Sequence, residues 1–170
     1  TRNFEAAIDS FNELLELLVS GDVAGRPQDT SIQRRTFSRH DRPSAFGVLD
    51  FSRPAVELDR LVPALSFGPY PNTVCTPKVA VGALSNADGT VTVVAAEVRD
   101  ASGVPGTIIS SASDAVVVAC GEGALALTAL ADARGGALDL AAAIQLHDLR
   151  PGRVLEALDQ PSVESLDALA

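Results

Sequence analysis

From Pro77 onward the hydrophobic pattern of this chain repeats every two residues rather than every three or four, and that change limits what it can fold into. The apolar runs are KVAVGAL (78–84), TVTVVAAEVRD (90–100), TIIS (107–110), AVVVAC (115–120) and ALALTAL (124–130). Turn formers separate them: Asn86-Ala87-Asp88-Gly89, Val104-Pro105-Gly106, Ser113-Asp114 and Gly121-Glu122-Gly123. Short β-branched runs spaced about ten residues apart predict a small antiparallel barrel or half-barrel. Asp139 is placed to cap a short helix over LAAAIQL (140–146), and Arg150-Pro151-Gly152 closes the unit.

The front of the chain is helical. In residues 4–19, Phe4, Ala7, Ile8, Phe11, Leu14, Leu15, Leu18 and Val19 follow the i, i+3, i+4, i+7 pattern, and Gly21 is a natural C′ residue. Residues 22–50 lose that period and read as an extended strap. A second helix is predicted over 54–65, with Ser52 as its N-cap and Val56, Leu58, Leu61, Val62 and Leu65 as its apolar stripe. Pro63 should kink or end it, and FGPYPN (67–72) forms a rigid elbow. The tail 154–170 is polar with scattered leucines.

Charge is unevenly distributed within the overall −9. Residues 1–25 carry one basic and five acidic groups, 26–60 seven and five, and 61–170 five and twelve, so a mildly basic strap joins two acidic parts. Residues 73–170 contain no Phe, Tyr or Trp. A barrel that binds nucleic acid needs aromatic platforms and a basic groove, so that role is not expected. The apolar runs are too short to span a bilayer. Two cysteines, Cys75 and Cys120, read as free buried thiols in a reducing, cytoplasmic setting. The chain opens on Thr and lacks Met, and reads as a piece of a longer polypeptide.

Few residues suggest chemistry. His40 lies in Arg39-His40-Asp41-Arg42, where Asp41 would orient a general base, but no Ser or Cys stands at a nucleophile's spacing. An anchoring role for His40, and a helix-end role for His147, are the simpler readings. No cluster has metal-ligand spacing, and the Gly pairs lack the context of phosphate loops. Arg34, Arg35, Arg39 and Arg42, with His40, suit a phosphate or an acidic carrier; the same arginines suit the acidic first helix equally well.

Several phrases fall in one order: RTFSRHDRP (35–43), PAVELDRLVPAL (54–65), FGPYPN (67–72), TPKVAVG (76–82), VPGTII (104–109), VVVACGEGALAL (116–127) and LRPG (149–152). Together they resemble the C-terminal part of the 10-formyltetrahydrofolate-dependent formyltransferase family, of methionyl-tRNA formyltransferase type. The resemblance covers roughly residues 4–152. It implies a long helix ending a Rossmann-like catalytic domain, a linker, and a small barrel of oligonucleotide-binding-fold type. The family's catalytic Asn, His and Asp lie in the N-terminal domain around a SLLP-type loop. No stretch here matches it, so no catalytic or cofactor residue carries over. The family's usual Arg in the second helix is replaced by Pro63.

The acidic barrel and the tail DQPSVESLDALA (159–170) resemble versions embedded in non-ribosomal peptide synthetases or related megasynthases. The expected fold is therefore α+β: amphipathic helix, strap, second helix and small antiparallel barrel. Residues 1–50 form the helix and linker, 51–152 the barrel domain, and 153–170 an interdomain tail. The expected role is non-catalytic: a linker domain positioning neighbouring domains or a carrier-bound substrate, with Arg34, Arg35, Arg39, His40 and Arg42 as the contact. Neither nucleic acid nor membrane is expected as a partner. The alternatives are the C-terminal half of an active formyltransferase and, against the charge, an RNA-binding barrel.

Overall fold

The computed structural model describes residues 2–21, 25, 27–32, 41–67, 70, 72, 75–84, 89–155 and 157–167. The chain divides into two compact units, Thr1–Phe37 and Ser38–Ala170.

The first unit is built on helix α1 (Arg2–Ser20). Gly21 takes a left-handed φ of 72° and closes the helix as expected, its amide donating to the Leu18 carbonyl at 3.4 Å. The apolar stripe is exposed, from Phe4 at 71 % through Ile8, Phe11 and Leu15 to Leu18. Further along, Asp29 accepts the amide and hydroxyl of Ser31, at 2.9 and 2.6 Å, and both bonds hold its carboxyl below the usual range.

The second unit is α+β. A 3-10 turn (Ser44–Gly47) leads to α2 (Ala55–Ala64). The strands follow: β1 (Lys78–Ala80), β2 (Thr90–Arg99), β3 (Ile108–Ser111), β4 (Val116–Ala119), β5 (Ala124–Ala131) and β6 (Ala137–Leu138). Helices α3 (Leu140–Leu146) and α4 (Gln160–Asp167) complete it. All pairings within the sheet are antiparallel, in the order β1-β2-β5-β4-β3, with β6 also pairing with β5. The β2–β5 register slips between Val93 and Ala95 and again before Ala96. Such bulges bend and twist a strand, and they curl this sheet into a half-barrel.

The core fills that curl. Val91 and Val93 point inward from β2, Val116 and Val118 from β4, and Leu58 and Val62 cover them from α2. Strand β5 is buried along most of its length, as expected of a central strand covered on both faces. Glu97 and Arg99, two apart on β2, share its outer face and pair at 2.7 Å.

The structure alters several local expectations. Ser52 does not cap α2. Its amide and hydroxyl both go to the Asp50 carboxylate, at 2.9 and 2.7 Å, and Pro54 occupies the cap position without a side-chain bond. The orphan amide of Ala55 donates instead to the Glu122 carbonyl at 2.9 Å. Ala55 takes the buried place expected of Val56, which is 46 % exposed. Pro63 fits inside α2, and the helix stops one residue later. Strand β1 is shorter than expected because the Val81 and Gly82 amides both turn to the Gly89 carbonyl. The short β6 was not expected at all.

Asp139 caps α3 as expected, its carboxylate accepting the Ala142 amide at 2.8 Å, and His147 ends that helix. The turn Gly121-Glu122-Gly123 is tied to the entry of α2. The Gly121 amide donates to the Phe51 and Arg53 carbonyls at 2.9 and 3.0 Å, and a Cβ at Gly121 would lie 2.0 Å from the Ser52 oxygen.

Segment 152–155 extends the free side of β3. The Ile108 amide donates to the Arg153 carbonyl, Gly152 to Ile108 and Leu155 to Gly106, each at 2.8 Å. The Arg153 side chain then crosses to the end of β1, donating to the Val81 carbonyl at 2.6 Å. It also donates to the carbonyls of His147 and Asp148. No helix among the described residues is long and apolar enough to cross a membrane.

Candidate functional site

A polar constellation gathers on the turn Ser44–Gly47. Ala45, Phe46 and Gly47 are all left-handed, with φ of 55°, 52° and 82°. Glycine adopts that conformation freely; for Ala and Phe it is strained and must be held by surrounding contacts. Here the Phe46 carbonyl accepts the Cys75 thiol at 2.9 Å and the Lys78 ammonium at 3.0 Å. The same ammonium donates to the Thr76 carbonyl at 3.2 Å and lies 5.2 Å from the centre of the Phe46 ring. On the opposite side, the Ala45 amide donates to the Asp167 carboxylate at 2.7 Å.

Gly47 makes this packing possible. A Cβ there would come within 2.5 Å of the Thr76 oxygen and 2.6 Å of the Cys75 sulfur. Burial pushes the Cys75 thiol up, with Lys78 and Arg42 pulling the other way, and burial pushes the Lys78 ammonium down. A thiol held neutral and an ammonium satisfied by carbonyls suit a clamp on the backbone better than nucleophilic chemistry. Beside the turn lies a cavity of about 640 Å³ walled by Ala45, Leu49, Leu58, Leu61, Leu158 and Val163.

Of the residues expected to contact a carrier, Arg34, Arg35, Arg39 and His40 lie outside the described residues. Arg42 is half-buried beside the turn; it donates to the Asp41 carbonyl at 3.2 Å and its charge reaches Cys75. The sequence reading of Cys75 as a free buried thiol holds, but Lys78, Phe46 and Asp167, which complete the cluster, were not singled out. Only Gly47 hinted at the left-handed turn. Among the described residues no group of three or more His, Cys, Asp or Glu could hold a metal ion.

The model of the formyl transferase C-terminal domain matches residues 43–148. A methionyl-tRNA formyltransferase of Pseudomonas entomophila is 40 % identical over 122 residues, covering 71 % of this chain and 34 % of the relative. That of Pseudomonas fluorescens Pf-5 is 38 % identical over 127 residues, covering 75 % and 35 %. The chain thus spans about a third of the length of these curated relatives. Among solved structures, a variant of HypX from Aquifex aeolicus aligns with a TM-score of 0.52 at 18 % identity, over 90 % of this chain and 26 % of that one. At that identity the likeness concerns the fold alone.

Proposed function

Because the chain belongs to the formyl transferase C-terminal domain family, we propose that it is the non-catalytic positioning module of a larger biosynthetic enzyme, a non-ribosomal peptide synthetase or related megasynthase. In that setting it orients neighbouring domains or a carrier-bound substrate. One observation carries this reading: α1 presents an exposed apolar stripe, Phe4, Ile8, Phe11, Leu15 and Leu18, while the second unit fills its core from its own residues. An exposed apolar face of this kind is a docking feature.

The parent family uses 10-formyltetrahydrofolate, and this chain is a poor fit for it. Among the described residues no polar or charged side chain is buried, and of the polar groups at the largely aliphatic cavity beside the turn, Asp50 and Ser52 bond to each other, Arg53 pairs with Glu57 and Gln160 bonds to Glu164. A pterin needs a converging set of polar partners.

Charge reversal of Arg34, Arg35 and Arg39 to Glu tests the carrier contact. The reading requires weaker binding to a purified acidic carrier protein at an unchanged melting temperature. A large loss of stability would instead show that these arginines hold the chain's own acidic helix. A second reading, the C-terminal part of a working formyltransferase, is favoured by the names of the relatives. Tracing the parent reading frame decides between the two. A SLLP-type loop with the Asn-His-Asp set upstream would overturn the non-catalytic reading.

A further inference from the structure

Helix α4 lies beyond the stretch matched by the family model, which ends at 148, yet it packs on the turn where that match begins. It has eight residues, none of them fully buried. A helix this short does not persist alone in water, so its order depends on docking. Asp159 caps its first turn through the Ser162 amide at 3.0 Å, Leu158 and Val163 face the cavity beside α2, and Asp167 holds the Ala45 amide. The turn in its own right is left-handed at Ala45 and Phe46, a conformation that needs holding. Each element thus depends on the other.

We propose that α4 is a latch. Its folding and its docking are one event, and its release opens the apolar groove between the Ser44–Gly47 turn and α2. Release also loosens the turn, and with it the cover over the Cys75 thiol, which abuts Gly47 and bonds to the Phe46 carbonyl. The sheet stays folded, because its core is drawn from β1 to β5, α2, α3 and the residues Leu49, Phe51, Leu149 and Leu155, and α4 contributes none of it. The inference is independent of whether the chain positions neighbours or completes a transferase.

The two buried cysteines provide the assay. Cys75 sits under the turn, whereas Cys120 directly follows β4 and lies outside the latch. In the full chain, maleimide labelling is followed separately at each thiol by peptide mass spectrometry. Asp167→Ala removes the bond to Ala45, and Val163→Asp places a charge in the groove. Either change should speed labelling of Cys75 by about tenfold, on the scale of one lost hydrogen bond to a charged group, and leave Cys120 unaffected. Equal acceleration at both thiols, or none at Cys75, would overturn the latch. Amide exchange in the unaltered chain gives a second reading that needs no variant. The Ala45 amide and those of α4 should exchange together while Leu125 stays protected. Exchange of Ala45 only in step with Leu125 would equally overturn it.

Discussion

Arg153 bonds across the open side of the half-barrel to the carbonyl of Val81, at 2.6 Å. The two residues sit on opposite borders of the curled sheet, Val81 just past β1 and Arg153 on the segment that pairs with β3. One guanidinium therefore does at this seam what a row of ladder hydrogen bonds does in a closed barrel.

Removing that side chain should open the seam. Arg153→Ala leaves the Val81, His147 and Asp148 carbonyls without this donor, and a loss of about 2–3 kcal/mol is expected from hydrogen bonds to a charged group. Arg153→Lys should recover only part of it, because an ammonium cannot reproduce the planar fork. Urea unfolding of both variants measures the difference.

Gly121→Ala is expected to cost about 3 kcal/mol or more, since the new Cβ would meet the Ser52 backbone oxygen and backbone cannot swing aside. Gly135, unlike Gly121, is left-handed, with φ of 85°, and has nothing within 4 Å of its would-be Cβ, so Gly135→Ala should cost only the conformational penalty of about 1–2 kcal/mol. Comparing the two melting temperatures separates close approach from backbone strain.

The buried thiol of Cys120 is pushed up to about 11 from an ordinary 9.0, chiefly by burial. In the unfolded chain it ionises first, so its contribution to stability is fully present below pH 9.0 and is lost as the pH rises towards 11. Denaturant unfolding across this range, with Cys120→Ala alongside, should show a steeper alkaline decline in the parent chain. Identical slopes in the two proteins would show that Cys120 has no part in it.

Leu125→Ala should destabilise by about 2–5 kcal/mol, because that side chain is fully buried in β5. Val94 on β2 is 50 % exposed, and Val94→Ala is expected to change stability by less than about 0.5 kcal/mol. Asp139→Ala lies between, at about 0.5–2 kcal/mol for a lost helix cap. Thermal scans of the three variants would expose an inverted order.

Where local chemistry decided the outcome, the sequence was readable. The stripe of α1, the Asp139 cap and the strands from 90 to 131 follow from spacing and turn residues alone. Where a competitor intervened, it was not. Asp50 drew Ser52 away from the cap, and Gly89 drew Val81 and Gly82 away from β1. The turn at Ala45 and Phe46 was the least accessible of all. Nothing in Ser-Ala-Phe-Gly before the glycine favours a left-handed backbone. Its partners Cys75 and Lys78 lie about thirty residues away, and Asp167 more than a hundred. The candidate site was therefore only partly legible: the buried, free Cys75 was visible, the carbonyl it shares with Lys78 was not.

The buried face of the sheet is assembled from Val, Ile, Leu and Ala, with no Phe, Tyr or Trp among residues 73–170. Optically this splits the molecule in two. Near-ultraviolet circular dichroism will report on Phe and Tyr rings that all lie at or before Tyr70, among them Phe46 on the turn and Phe51 at the entry to α2, and none stands on a strand. Far-ultraviolet signal will be carried largely by the backbone of sheet and helices. A process that loosens the turn while sparing the strands will be seen at one wavelength range and missed at the other, without any label.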